Sequence, residues 1–423
     1  MSARPAPVRI DDLANPRFAP EYEPIRAALT DAGALLQLEP EGLMEAAIAQ
    51  TGLDDFGDEA FREHLEVLCW ALHHESGYGP AGIATAYVQL TQLLRNRLLI
   101  EDLVGRHPEI LEVEISRPIV ICGLPRTGTT HLHNLMAADP ALRSLPYWES
   151  TEPVLPPGEQ AELERTGGPD PRRARTAAAL DVLDVALPYF KRMHEMTVDH
   201  VHEEIQLLAI DFSTALFETM AAMPTWRDHY LATDQTPVYA YLRKVLQVLQ
   251  WQRRGTRWVL KSPQHLEHFA VLARTFPDAT FVVTHRDPVS VTASLATMIS
   301  YTARMSHAAV DPHRIGQYWA ARIEDMLRAC VNDREVLPAE RSIDVHFDEF
   351  MADDVAMVDR IYALADQPMT PSVRAAMDAF MVEHPRGRHG GLIYDLTDFG
   401  LDRDERRKAL QFYVDRFDVT LEN

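Results

Sequence analysis

IVICGLPRTGTTHLHNLMAA, residues 119–138, holds the information that decides the fold. Four consecutive apolar, mostly β-branched residues, Ile119 to Cys122, form a run short enough for a strand and continuous enough for one buried on both faces, as in a parallel sheet. Gly123 and Pro125 break it, and His131–Ala138 resumes with helical spacing. A strand, a glycine-containing turn and a helix in immediate succession constitute the first half of a βαβ unit. Similar short runs recur at Arg257–Leu260, Thr280–Thr284 and Ser342–Phe347, with room between them for crossover helices. The expected fold is therefore α/β: a P-loop-like, doubly wound parallel sheet flanked by helices.

On either side of these strands the patterning changes. Residues from about Pro20 to Glu114 are helical in period, most clearly where Leu90, Leu93, Leu94 and Leu98 return to one face. The chain thus divides into a helical N-terminal region, 1–116, and an α/β domain, 117–423, with a helical insertion at about 150–250. Pro153–Arg175, poor in apolar residues, reads as a long surface excursion. Leu401–Phe417 reads as one last helix.

Composition narrows the function. With 41 Lys and Arg against 63 Asp and Glu, the net charge of −22 disfavours general attraction to nucleic acid, so an anionic ligand needs a dedicated pocket. The 3 cysteines are odd in number and far apart, which excludes a disulfide framework and fits a reducing cytoplasm. No apolar stretch is long enough for a membrane span.

In open α/β sheets ligands sit beyond the carboxyl ends of the strands, so the residues following each run are the candidate site. After the first run, Gly123 and Gly128 with Thr127, Thr129 and Thr130 can present N–H groups to an anion at a helix N-terminus. The loop keeps Walker glycine spacing, but Thr129 occupies the lysine position and the cation has moved to Arg126. An ATP- and Mg²⁺-dependent kinase-like phosphotransferase is disfavoured on that ground. After the second run comes Lys261. After the third come Arg286 and Asp287-Pro288, a good helix start, with Ser294 two turns further on.

Taken together these residues resemble the sulfotransferases that use 3′-phosphoadenosine 5′-phosphosulfate (PAPS). In that family a PxxGTT loop holds the 5′-phosphosulfate, and an Arg followed eight residues later by a Ser holds the 3′-phosphate. Leu124–Thr130 and His285–Ser294 match the two signatures, and Arg126 in the loop resembles the tyrosylprotein and bacterial branches. The resemblance spans about residues 117–417. It implies PAPS as cosubstrate, no metal, and cofactor contacts from Arg126, Thr127, Gly128, Thr129, Thr130, Arg286 and Ser294. It also implies a catalytic Lys261 and a basic C-terminal loop carrying Arg386 and Arg388.

The general base is open at this stage. Cytosolic members carry a histidine two residues after the strand-end lysine, and this chain has Pro263 there. Two alternatives remain: Glu149, which resembles a glutamate of the tyrosylprotein enzymes, and the group His202, Glu203 and Glu204 at the start of an apolar-faced helix. His194, His200 and His202 lack the H-E-x-x-H spacing and a cysteine partner, so they are not read as metal ligands. The acceptor is expected to be a small-molecule, lipid or glycan alcohol, with Phe212, Phe217, Met220, Met223 and Trp226 as pocket candidates. A catalytically inactive nucleotide-binding scaffold is the third reading, and homo-oligomerisation is left open.

Overall fold

A computed structural model describes residues 5–253 and 255–422. Five strands, β1 (Ile119–Cys122), β2 (Leu142–Arg143), β3 (Arg257–Ser262), β4 (Thr280–His285) and β5 (Ser342–His346), form one parallel sheet in the order β2-β3-β1-β4-β5. The apolar runs read from sequence are these strands. β1 lies centrally; the chain passes from it to the edge strand β2, returns to β3 on one side of β1 and then crosses to β4 on the other, the crossover that opens a ligand crevice at the strand ends. Register sets Ile121 beside Lys261 and Cys122 beside both Ser262 and Val283, so the segments following β1, β3 and β4 emerge together.

The period of two along β1 divides the core. Val120 and Cys122 face one apolar cluster, Ile119 and Ile121 the other. The first cluster contains the N-terminal helices α1 (Glu23–Gly33), α2 (Pro40–Thr51), α3 (Phe61–His74) and α4 (Pro80–Arg106) only in part: α2, α3 and α4 insert residues into it, whereas Tyr22 beside α1 joins a third, smaller cluster. Leu90, Leu93, Leu94 and Leu98 of α4 are all buried there, beside Leu260 and Val283 of the sheet. The apolar core is therefore continuous across residue 117.

Three local readings change. Of Pro153–Arg175, Pro153–Leu155 and Arg172 are buried and the rest is at or near the surface but largely helical: Pro157–Thr166 buries no residue, and Pro171–Ala186 starts with proline after Asp170, whose carboxylate caps the Arg172 N–H. The C-terminal helix is two, Arg403–Ala409 and Gln411–Phe417, joined at Leu410. His200–His202 is extended rather than helical: Tyr147 N–H donates to His200 O at 2.9 Å and His202 N–H to Leu145 O at 2.7 Å, and the helix begins only at Ile205, with Glu204 as its N-cap. Among the described residues no helix is long and apolar enough to cross a membrane.

Candidate active site

Close packing fixes the loop after β1. A Cβ on Gly123 would sit 1.9 Å from Thr284 Oγ1, so only glycine passes this point. Thr127 Oγ1 donates to Leu124 O at 2.7 Å and meets Thr284 Oγ1 at 2.8 Å; this hydroxyl braces the loop and is not aimed at a ligand. Gly128 at φ 86° and, unusually for a side-chain residue, Arg126 at φ 74° turn the chain into α5 (Thr129–Ala137). The first N–H groups of α5 have no intrahelical acceptor, an arrangement that can receive an anion beside Thr129 and Thr130.

At the end of β4, Asp287 caps the following helix through Val289 N–H at 2.9 Å, as its sequence predicts. Arg286 stacks on Phe347, with its guanidinium carbon 4.0 Å from the ring centre, and donates to Arg126 O at 2.6 Å. Its remaining fork holds Glu422, at 2.5 and 2.9 Å. Arg126 reaches back, its Nε 3.0 Å from Ser294 Oγ and a second nitrogen on Met193 O. Behind Arg286, buried His285 bridges Tyr413 and Asp344, both at 2.8 Å, and Arg334 also binds Asp344. Burial pushes His285 down. Asp344 is held below the usual carboxylate range because the hydrogen bonds from His285 and Arg334 outweigh its burial.

β3 delivers Lys261, 1% exposed, whose Nζ pairs with Glu203. Glu204 faces the other way and is fully buried: Oε2 accepts the Lys261 N–H at 2.7 Å, and Oε1 meets His265 Nε2 at 2.6 Å, while His265 Nδ1 meets Tyr239 OH at 2.8 Å. Burial raises the Glu204 carboxyl, but the His265 bond wins and holds it below its ordinary value. Around Lys261 stand His133, His194, His200 and His202. Burial, reinforced by neighbouring cations, pushes His200 down to about 4 and His133 to about 3, and lowers His194 and His202 well below normal.

Glu149 is placed apart from this group. Its carboxylate is 3% exposed and binds Arg143 at 3.1 and 3.2 Å and Arg253 at 2.9 and 3.2 Å, so its lone pairs are taken by two guanidinium groups. Phe212, Phe217, Met223 and Trp226 are fully buried in the core, and Met220 packs against it. None of the five lines the cavity described next.

A cavity of about 770 Å³ opens over the strand ends. Arg126, Gly128, Thr129, Thr130 and Arg286 line it with Arg386 and Arg388, so seven of the expected cofactor contacts share one cavity. Arg386 is held by Asp354 and Met351 O, Arg388 by Glu195 and Glu383 O. Sequence reading missed Lys191 and Arg192, which lie in a short 3-10 turn, Phe190–Arg192, far in sequence from any strand end, and they complete six Lys and Arg on a wall with only two acids, Glu195 and Asp199. In a chain of charge −22 such a wall is a local reversal of sign, suited to a multiply charged anion.

A profile of the sulfotransferase family matches residues 118–371. Among solved structures, the chain is similar to sulfotransferase STF9 from Mycobacterium avium, with 28% identity and a TM-score of 0.80 over 90% of this chain and 97% of that one. It is also similar to sulfotransferase STF1 from Mycobacterium tuberculosis, with 29% identity and a TM-score of 0.76 over 87% and 97%. These shares reach well into the N-terminal helices, beyond the span in which the sequence resemblance was seen. No curated protein sequence matches. With the family match over more than half its length and two structural relatives aligned almost end to end, the chain belongs to the sulfotransferase family and is an enzyme of sulfuryl transfer.

Proposed function

We propose that the sulfuryl donor is PAPS, with its 5′-phosphosulfate in the loop Gly123–Thr130 and its 3′-phosphate at Arg286 and Ser294, and that the acceptor is a hydroxyl of a small molecule, lipid or glycan. The observation that carries this reading is the convergence of Arg126 and Arg286, 160 residues apart, on one cavity wall. A donor with anionic groups at both ends uses both. Thr129 in the Walker lysine position argues against a nucleoside triphosphate. The free, buried cysteines support a reducing compartment, and we assign the enzyme to the cytoplasm.

In this reading Glu203 takes the acceptor hydroxyl proton as the acceptor oxygen bonds to sulfur, and Lys261, Arg126 and the α5 N–H groups neutralise charge on the oxygen released from it. Glu203, although paired with Lys261, is preferred as base because its side chain is 19% exposed, whereas Glu204 and Glu149 are enclosed with their partners. Thermal stabilisation by adenosine 3′,5′-bisphosphate but not by ATP, together with transfer of radiolabelled sulfate from PAPS to an alcohol panel, tests the assignment. Stabilisation by ATP alone would replace it with the kinase-like reading, and tight bisphosphate binding without transfer to any acceptor would favour the scaffold.

A further inference from the structure

The segment 194–202 lies beside the cavity and carries three histidines that the reaction above does not use. Paired with residues 145–147, His200–His202 is extended, and side chains two apart on extended chain leave the same face. His194 closes on them from the preceding turn, its ring centre 5.0 Å from that of His200. One nitrogen from each of the three rings lies within 4.8 Å of the other two. Buried His200 Nε2 and His202 Nδ1 have no hydrogen-bond partner among the described residues, which is costly for polar atoms away from water unless something else binds them.

We propose that His194, His200 and His202 form a binding site for a divalent first-row metal ion, zinc in the first instance. Imidazole suits Zn²⁺, and three histidines around a tetrahedral ion leave one position open. Bonds of about 2.0–2.1 Å to zinc set ligand nitrogens roughly 3.4 Å apart, so nitrogens now within 4.8 Å of one another must draw in by up to about 1.4 Å. Neighbouring Lys261 opposes a cation, but Glu203 already balances its charge. His200 lines the cavity, so the open position lies on the side from which an acceptor oxygen or water can enter. The ion would also tie the two ends of the 194–202 segment to each other, beside Lys261 and its partner Glu203. The inference concerns these side chains alone and does not require PAPS to be the donor.

The test uses full-length protein bearing no histidine tag. It is stripped with a chelator and titrated with Zn²⁺ followed by elemental analysis, and separately with Co²⁺, whose visible absorption reports tetrahedral coordination. The expected result is one retained equivalent of Zn²⁺ and a tetrahedral Co²⁺ spectrum, both lost in His200→Ala/His202→Ala and in His194→Ala. Circular dichroism confirms that the variants fold, and should the double variant not fold, His194→Ala alone decides. Absence of retained metal and of the Co²⁺ band in the wild type, or a band unchanged in folded variants, overturns the site. Adenosine 3′,5′-bisphosphate binding is measured on the same samples: its failure with an intact Co²⁺ band would count against the donor assignment and not against the metal.

Discussion

Arg126 Nε stands 3.0 Å from Ser294 Oγ, joining the turn after β1 to the second turn of the helix after β4. Two signatures separated by 168 residues thus meet through a side-chain contact, and Arg286, holding Arg126 O, clamps the same junction from the backbone side. If the proposed donor binds here, its anionic group competes with Ser294 for Arg126, so the two ends of the proposed donor seat are mechanically linked.

From that linkage, Arg286→Ala is expected to weaken adenosine 3′,5′-bisphosphate binding, since each hydrogen bond to a charged group contributes about 1.5–3 kcal/mol, or roughly ten- to a hundredfold per bond. Lys261→Ala acts on turnover instead, by about a hundred- to a thousandfold. Calorimetry and steady-state rates separate them. Equal nucleotide affinity in wild type and Arg286→Ala would remove Arg286 from the seat.

Arg286 also carries a carboxylate partner. Glu422 takes both nitrogens of its outer fork, the Glu422 N–H donates to Asp287 at 2.9 Å, and Arg407 holds Glu422 O at 2.8 Å. A 3′-phosphate competes with this carboxylate for the same guanidinium. Glu422→Gln keeps the backbone contacts and removes the competing charge, so the bisphosphate should bind several-fold more tightly. Unchanged or weaker binding would mean that Glu422 shapes the seat and does not compete for it.

What the sequence could disclose follows from how local each signal is. Strand runs, the glycine spacing and the Asp287-Pro288 helix start are properties of neighbouring residues, and β1, β3, β4, β5 and the helix at 288 stand where those residues place them. The pairing of 200–202 with 145–147 is not local, and a four-residue helix at Ile205 has too few turns to be told from its apolar spacing. Glu149 was ambiguous for the same reason: its partner Arg253 is 104 residues away, and only the fold shows that two guanidinium groups consume it. Aromatic residues such as Phe212 and Trp226 have the same period whether they line a pocket or fill a core, and here they fill the core.

The two glutamates once interchangeable as bases now separate by readout. Glu149→Gln leaves Arg143, itself buried, without its counter-charge, and breaking a buried pair costs about 3–5 kcal/mol of stability. Its denaturation midpoint should fall while turnover of the folded enzyme stays near wild type. Glu203→Gln should do the reverse, losing about a hundred- to ten-thousandfold in rate if it accepts the proton. A full rate with Glu203→Gln, measured with the same acceptor, would move the proton to another group.

Buried histidines make stability depend on pH in a defined direction. His133, fully buried, donates from Nε2 to Val259 O at 3.2 Å, and His268 meets Tyr230 OH at 2.7 Å. Burial pushes both down to about 3. In the unfolded chain each titrates near pH 6.5. Between these values the unfolded state binds protons that the native state refuses, so the stability is fully present above about pH 6.5 and is lost as pH falls toward 3. The loss approaches about 1.4 kcal/mol per pH unit for each ring, roughly 3–4 kcal/mol for the pair between pH 6.5 and 5. Denaturant midpoints at pH 7.5, 6.0 and 5.0 should fall accordingly, and His133→Asn, though less stable at pH 7.5, should show a slope shallower by about one proton. A midpoint that holds steady down to pH 5 would mean that these rings take up protons in the native protein.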